Sequence, residues 1–232
     1  PKVLNDFELE IPAGQSIAIV GRTGSGKSTI ARLLMRFYNI QQGSISLDGQ
    51  NISSVTQASL RSAVALVPDE PFLFSTSVHE NIAYGRPGST RESVEEAARA
   101  AQAHDFIVGL ENGYDTIIGE RGYDLSGGQR QRISLARLFL QDPAVVILDD
   151  STSSIDVEIE ERIHGSLNKL LRERTTVVIA HRLSTIALAE RVVLVEDGRV
   201  VADGSHQHLL DTEPRYAETL AATVTDDEDE TW

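Results

Sequence analysis

The sequence predicts an α/β fold: a mixed sheet with parallel strands, an antiparallel β ribbon, and an α-helical stretch inserted between two strand-bearing parts. Three observations carry that expectation. Short apolar runs stop abruptly at polar or glycine residues, as buried strands do: Ser16-Ile17-Ala18-Ile19-Val20 before Gly21, Val145–Leu148 before Asp149, and Thr176–Ala180 before His181. Two Asp-Gly pairs, Asp48-Gly49 and Asp197-Gly198, sit between residues of strand character and read as tight hairpin turns. From Ser75 to Leu140 the pattern turns helical.

Each element follows in order. After the glycines that succeed Val20, Ile30, Leu33, Leu34 and Phe37 recur at helical spacing, giving a strand–loop–helix unit. Ser89-Thr90-Arg91-Glu92 has the form of a capping box and precedes an Ala- and Glu-rich helix. Ile133, Ala136, Arg137 and Leu140 mark a second helix behind a Gly-Gly turn. A third begins near Asp156, carries Glu158, Glu160 and Glu161 where the helix dipole favours them, and buries Ile159, Ile163 and Leu167. Beyond it the strand Thr176–Ala180 closes a βαβ pattern, and no internal repeat is visible.

Composition sets bounds. The 232 residues are enough for a large core, and the absence of cysteine excludes disulfides and thiolate metal sites. A formal net charge of −14 argues against nucleic acid as a partner, since such a surface repels a phosphate backbone. A local positive pocket for a small phosphate ligand is compatible with it. No apolar run approaches the roughly 20 residues that cross a bilayer, and no signal-peptide pattern opens the chain. The start at Pro1, with apolar Val3-Leu4 at once, reads as a segment of something longer. The run Asp226–Glu230 near the other end reads as a solvated, disordered tail over 226–232.

The chemistry concentrates in Gly21-Arg22-Thr23-Gly24-Ser25-Gly26-Lys27-Ser28, which fits G-x-x-x-x-G-K-[ST], with Thr29 next. Glycines let successive backbone N–H groups turn inward around an anion, and the following helix offers its positive N-terminus. Lys27 is placed to reach the β- and γ-phosphates of a nucleotide, and the Ser28 hydroxyl to ligate Mg²⁺. Such a loop needs a carboxylate from a neighbouring strand end to hold the metal's water shell, and Asp149, closing the Val145–Leu148 run, fits.

A second motif is Leu125-Ser126-Gly127-Gly128-Gln129, followed by Arg130-Gln131-Arg132. By itself Ser before Gly-Gly is a capped helix start. The residues match, letter for letter, the LSGGQ signature, and on these two motifs the chain is identified as a member of the ATP-binding cassette family. Further stretches resemble that family in order: Pro71–Ile82 the segment after its Q-loop, Ser153–Asp156 its D-loop, Val178–Ser184 its H-loop with His181 toward the γ-phosphate, and Thr116–Gly122 the X-loop of its exporter branch. The resemblance spans about Val3 to Leu210.

It implies a P-loop NTPase core over residues 1–225 with an antiparallel β subdomain and an α-helical signature subdomain at about 75–140. It implies ATP and Mg²⁺ as ligands, a location on the cytoplasmic side of a cell membrane, and transmembrane domains lying upstream or on another chain. A second nucleotide-binding domain would pair with this one head to tail, so that Ser126, Gly127, Gly128 and Gln129 serve the partner's ATP. The family's adenine-stacking aromatic would lie upstream of Val3.

Two positions depart from the family. The residue after the Mg²⁺-holding Asp is usually Glu, the general base; here it is Asp150. One methylene fewer shortens its reach by roughly 1.5 Å. A misplacement near 1 Å can cost about 10²-fold in rate, roughly 2.7 kcal/mol of barrier. In Val67–Pro71, Asp69 stands where the family has Gln, offering a charged oxygen that ligates a hard metal but repels the γ-phosphate. The expectation is a degenerate, slowly turning site, an intact signature lent to a different partner chain, and catalytic roles for Asp150 and His181. The alternatives are a regulatory ATP-binding module that never hydrolyses and a symmetric homodimeric exporter ATPase. A chromosome-organising ATPase would need coiled coils between Lys27 and Ser126, and no heptad run occurs there. The other histidines, His79, His104, His164, His206 and His208, read as surface residues rather than metal ligands.

Overall fold

The computed structural model describes residues 3–119, 125–149, 157–172, 174–180 and 182–229, with the side chains of 157 and 222–229 left aside. The chain divides into two compact units, one made of Pro1–Leu66, Ala144–Asp150 and Glu173–Trp232, the other of Val67–Pro143 and Ser151–Arg172. In chain order the first strands and helices are β1 (Ser16–Val20), α1 (Lys27–Leu34), β2 (Ser46–Leu47), β3 (Gln50–Asn51), α2 (Gln57–Ala63) and β4 (Val64–Val67). The second unit supplies α3 (Val78–Ala83), α4 (Arg91–Ala100), α5 (His104–Val108) and α6 (Gly127–Gln141). Then come β5 (Val145–Asp149), α7 (Val157–Leu171), β6 (Thr175–Ile179), α8 (Leu183–Ile186), β7 (Arg191–Glu196), β8 (Arg199–Gly204), α9 (His206–Thr212) and α10 (Pro214–Asp229).

The main sheet has the order β4-β5-β6-β1-β7-β8. Strands β5, β6, β1 and β7 run parallel, and β8 returns antiparallel on β7. The sheet is therefore mixed, as expected, and β2–β3 forms a separate antiparallel pair. Both hairpin turns form at the Asp-Gly pairs. Asp48 and Gly49 take φ of 48° and 76°, Asp197 and Gly198 take 46° and 73°, the two consecutive positive values that a type I′ turn requires. β1 is buried along its whole length, which is why it reads as continuous apolar sequence rather than an alternating one. Ile17, Ile19, Ile147, Val177, Ile179, Val193 and Val195 of the sheet pack with Ile30, Ala31 and Met35 in one apolar cluster.

Helix α1 ends sooner than its periodicity suggests. Arg36 adopts φ 51°, and the Phe37 amide donates to the Arg32 carbonyl (2.9 Å) while that of Arg36 donates to Leu33 (3.0 Å). This is a Schellman turn with arginine where glycine is usual. Arg36 tolerates it because its Nη1 donates to the carbonyls of Ile52 (2.8 Å) and Val55 (2.7 Å). Phe37 is thereby thrown off the helix and stands exposed, a correction to the sequence pattern.

In the second unit, α4 is capped by Thr90, whose hydroxyl accepts from the Ser93 amide at 3.3 Å. The expected box beginning at Ser89 does not form; Ser89 Oγ donates instead to the Arg86 carbonyl at 2.7 Å. A true capping box does form one helix earlier, where Ser77 and Glu80 open α3. On α7, Ile163 and Leu167 are buried as expected, while Ile159 is only half-buried and Glu160 is buried.

Helix α10 departs from the sequence reading. Its backbone stays helical through Asp229, into the acidic run expected to be a disordered tail. Pro214 suits the first helical position, and Ala217, Leu220, Ala221 and Ala222 are strong helix formers that let the helix propagate. Tyr216 and Thr219 anchor its first turns in the first unit, both buried.

Candidate nucleotide-binding site

The site is built where β1 gives way to α1. Gly21 approaches β7 so closely that a Cβ there would lie 2.2 Å from the Val195 carbonyl oxygen. Gly24 and Gly26 take φ of 83° and 109°. Gly26 starts α1 with no side-chain cap, and the first turn of that helix carries no acidic residue. Its leading N–H groups are therefore left for an anion. The loop is braced from outside by the β7–β8 turn, whose Gly198 amide donates to the Ser25 carbonyl at 3.1 Å. Gly198 in turn accepts from the Asn5 amide at 3.0 Å.

Lys27 is buried, and its Nζ donates to the carbonyls of Gly21 (2.5 Å) and Arg22 (3.2 Å). Burial pulls its pKa below the ordinary lysine value, and the negative charge of Asp149 partly restores it. Asp149 ends β5 level with Ile179 of β6, which is itself level with Ile19 of β1. The carboxylate thus stands at the carboxyl edge of the sheet, where open α/β folds take their ligands. Ser25 Oγ is buried with no hydrogen-bond partner among the described residues. Arg22, Thr23 and Gly24 face outward, and Ser28 and Thr29 are half-buried. A cradle that excludes side chains, an orphaned hydroxyl and a desolvated ammonium together fit a polyphosphate with its Mg²⁺. Lys27 and the loop amides would hold the phosphates, and Ser28 and Asp149 the metal.

The second unit carries the other predicted residues. Ser126 caps α6, its hydroxyl accepting from the Gln129 amide (3.2 Å) while Gln129 Oε1 accepts from the Ser126 amide (2.9 Å). Gly127 and Gly128 form the first turn. Ser126 is exposed, so the box presents the motif outward in a fixed geometry. Asp69 is also exposed, and its backbone carbonyl accepts from Gln131 Nε2 at 3.1 Å. Asp150, His181, the Ser153–Asp156 stretch and Glu120–Gly122 lie outside the described residues.

The structure thus brings the loop, Lys27 and Asp149 together, and separately gathers Asp69 and the Ser126–Gln129 motif in the second unit. Sequence reasoning missed the braces: Val195 and Asn5 carry no motif, and Gly198 was legible only as part of a hairpin turn. It also misjudged most of the histidines. His104 and His206 are half-buried and pair through Nδ1 with Tyr114 (2.9 Å) and Tyr216 (2.6 Å). His164 lies beside buried Glu160 at 3.5 Å, and His79 is half-buried; His208 alone of these is exposed. The tyrosine pairs could not be read from spacing, because a partner ten residues away across a turn has no periodic signal. No cluster of metal-ligating side chains occurs among the described residues.

With this geometry in view, residues 4–153 match the family model described as ABC transporter. The chain belongs to the ABC transporter family. Over 214 residues it is 48% identical to a Staphylococcus aureus protein named for multidrug export, as an ATP-binding/permease protein, and 46% identical to YgaD of Bacillus subtilis, named in the same way. Each alignment takes in 92% of this chain and 37% of the relative, so the chain spans little more than a third of these relatives' length. A solved structure of a bacterial Atm1-family ABC exporter with ATP bound superposes with a TM-score of 0.91 at 45% identity, covering 96% of this chain and 39% of that one. The domain is an ABC-type ATPase domain that binds ATP with Mg²⁺. No helix among the described residues is long and apolar enough to cross a membrane.

Proposed function

We propose that this chain is the ATP-driven half of an exporter, working on the cytoplasmic side of a cell membrane beside transmembrane domains, and that its own ATP site turns over slowly. It pairs head to tail with a second nucleotide-binding domain of a different chain. ATP and Mg²⁺ are held by Gly21–Thr29 and Asp149, with Asp69 as a further metal ligand, and closure brings the partner's signature onto the phosphates. Reciprocally, Ser126–Gln129 of this chain serve the partner's nucleotide. The names of the relatives support export, with small drug-like molecules as the cargo class.

One observation carries the asymmetric reading: an intact phosphate loop and an intact, capped signature accompany aspartate at both 69 and 150. Asp150 is a base one methylene short of the water it would activate, while His181 remains to contact the γ-phosphate. The symmetric homodimer is the second reading, because one chain carries both halves of a composite site. ATP hydrolysis measured over a range of protein concentrations, with Asp150→Glu alongside, separates them. We expect near-silent wild type and a Glu variant whose rate rises as the square of concentration. Brisk turnover by wild type with that same dependence would establish Asp150 as a competent base and the homodimer as the assembly.

A further inference from the structure

Arg137 is a half-buried cation with no carboxylate against it among the described residues. It stands on the signature helix α6, and its guanidinium is spent on the segment that crosses the helix. Nε donates to the Asn81 carbonyl (2.6 Å), Nη2 to Asn81 Oδ1 (2.6 Å) and Nη1 to the Phe72 carbonyl (2.7 Å). The rings of Phe74 and Tyr84 lie 5.6 and 6.0 Å from its Cζ. Burial lowers its pKa to about 10. A cation held without a counter-ion is an expensive way to fasten a helix, and an apolar side chain would fill the space at less cost. What an arginine adds is a rigid planar fork that fixes direction as well as distance.

A second bond points the same way. Gln131, buried on α6, donates from Nε2 to the backbone carbonyl of Asp69 at 3.1 Å. The stretch from Asp69 to Phe72 is thus fastened to α6 at both ends, through main-chain carbonyls that do not depend on side-chain identity in the stretch. Asn81 completes the clamp. Fully buried, it donates from Nδ2 to the carbonyls of Phe74 (2.9 Å) and Ser77 (3.1 Å) and accepts at Oδ1 from the Phe74 amide (2.9 Å).

We infer that Gln131 and Arg137 are positioning residues, which make the Asp69–Phe74 segment and the Ser126–Gln129 motif move as one piece. The motif caps the N-terminus of the same continuous helix, about 16 Å from Arg137 at 1.5 Å per residue. A shift of Asp69–Phe74 must either break these bonds or carry α6, and with it the capped signature. This rests on the proposed roles of Asp69 toward the chain's own nucleotide and of Ser126 toward the partner's. Given those roles, the clamp links the two nucleotide positions that one chain touches.

The test uses the intact protein that carries this chain, with Arg137→Lys, which keeps the charge and loses the fork, and Gln131→Met, which keeps the length and loses the donor. Amide hydrogen exchange is read at Asp69–Phe74 and at Ser126–Gln129, together with ATPase kinetics. We expect exchange at both segments to quicken together by about tenfold, the melting midpoint to drop only about 2–4 °C, and kcat to fall about tenfold with KM within twofold. Quickening confined to Asp69–Phe74, with Ser126–Gln129 unmoved, overturns the inference. So does a loss of kcat that only tracks the loss of folded protein. Ser126→Ala reports on the underlying reading separately: full turnover in that variant, with the linked exchange intact, removes the signature's role and leaves the clamp standing.

Discussion

Lys27 Nζ donates to the Gly21 carbonyl at 2.5 Å, so the phosphate loop closes on its own cation. That ammonium is buried and its pKa is depressed chiefly by desolvation. In the window between the depressed value and the ordinary lysine value of 10.5, the unfolded chain binds a proton that the folded chain does not. Stability therefore rises with pH there. Urea unfolding at a series of pH values up to 10 should show this rise in wild type and not in Lys27→Met. Saturating MgATP, whose phosphates favour the charged ammonium, should flatten it. A slope identical in the two proteins would mean that another group carries the titration.

Glycines 21 and 24 should behave differently when changed to alanine. At Gly21 the new methyl meets the Val195 carbonyl at 2.2 Å, so β7 or the loop must move. Overpacking of this kind costs about 1–3 kcal/mol, and ATP binding should be abolished. At Gly24 nothing lies within 4 Å, and only the positive φ of 83° is penalised. That cost is about 1–2 kcal/mol, with ATP affinity reduced rather than lost. Calorimetric titration with ATP and thermal melting of the two variants make the comparison.

Asn81→Ala should be among the most damaging single changes in the second unit. It deletes the acceptor shared by the Phe74 amide and Arg137 and leaves a half-buried guanidinium short of a partner. An unsatisfied buried donor costs about 1–3 kcal/mol, more when charged, so a loss of about 3 kcal/mol is expected from denaturant unfolding. A loss below 1 kcal/mol would show that water readily enters the site.

Tyr114 and Tyr216, both pushed to about 12 by burial, contribute to the pH dependence of stability in alkali. Each raised pKa favours the neutral phenol in the folded state, so the stabilisation is whole below pH 10 and is lost as pH climbs toward 12. Two pKa units correspond to about 2–3 kcal/mol per residue at most. Tyr216→Phe should lose about 1 kcal/mol at neutral pH with its bond to His206, yet unfold less steeply above pH 10. Parallel melting curves at pH 8 and pH 10.5 give both quantities.

What was legible in the sequence was what is local. The strand before Gly21, the glycine-rich loop, the cap at Ser126 and both Asp-Gly hairpins are decided by neighbours within a few residues, and each is where the pattern put it. Phe37 was misread because Arg36 enters the left-handed region only with help from Ile52 and Val55, carbonyls that periodicity cannot see. The Ser89 box lost to Thr90 through competition between two adjacent caps of similar strength. The fork of Arg137 on Phe72 and Asn81 spans more than fifty residues of chain and left no trace in spacing.

The braces around the phosphate loop have a bearing on how the molecule is made. Gly21 is pressed on Val195, Ser25 is held by Gly198, and Gly198 is itself pinned by Asn5. These partners lie far apart along the sequence, so the loop acquires its shape only after a long closure in the first unit has been completed. During synthesis the motif stays incompetent until residues near 198 have followed it. The capacity to bind ATP is thus a late acquisition in folding, and nucleotide in the cell selects finished molecules, stabilising them by mass action while ignoring partly folded ones.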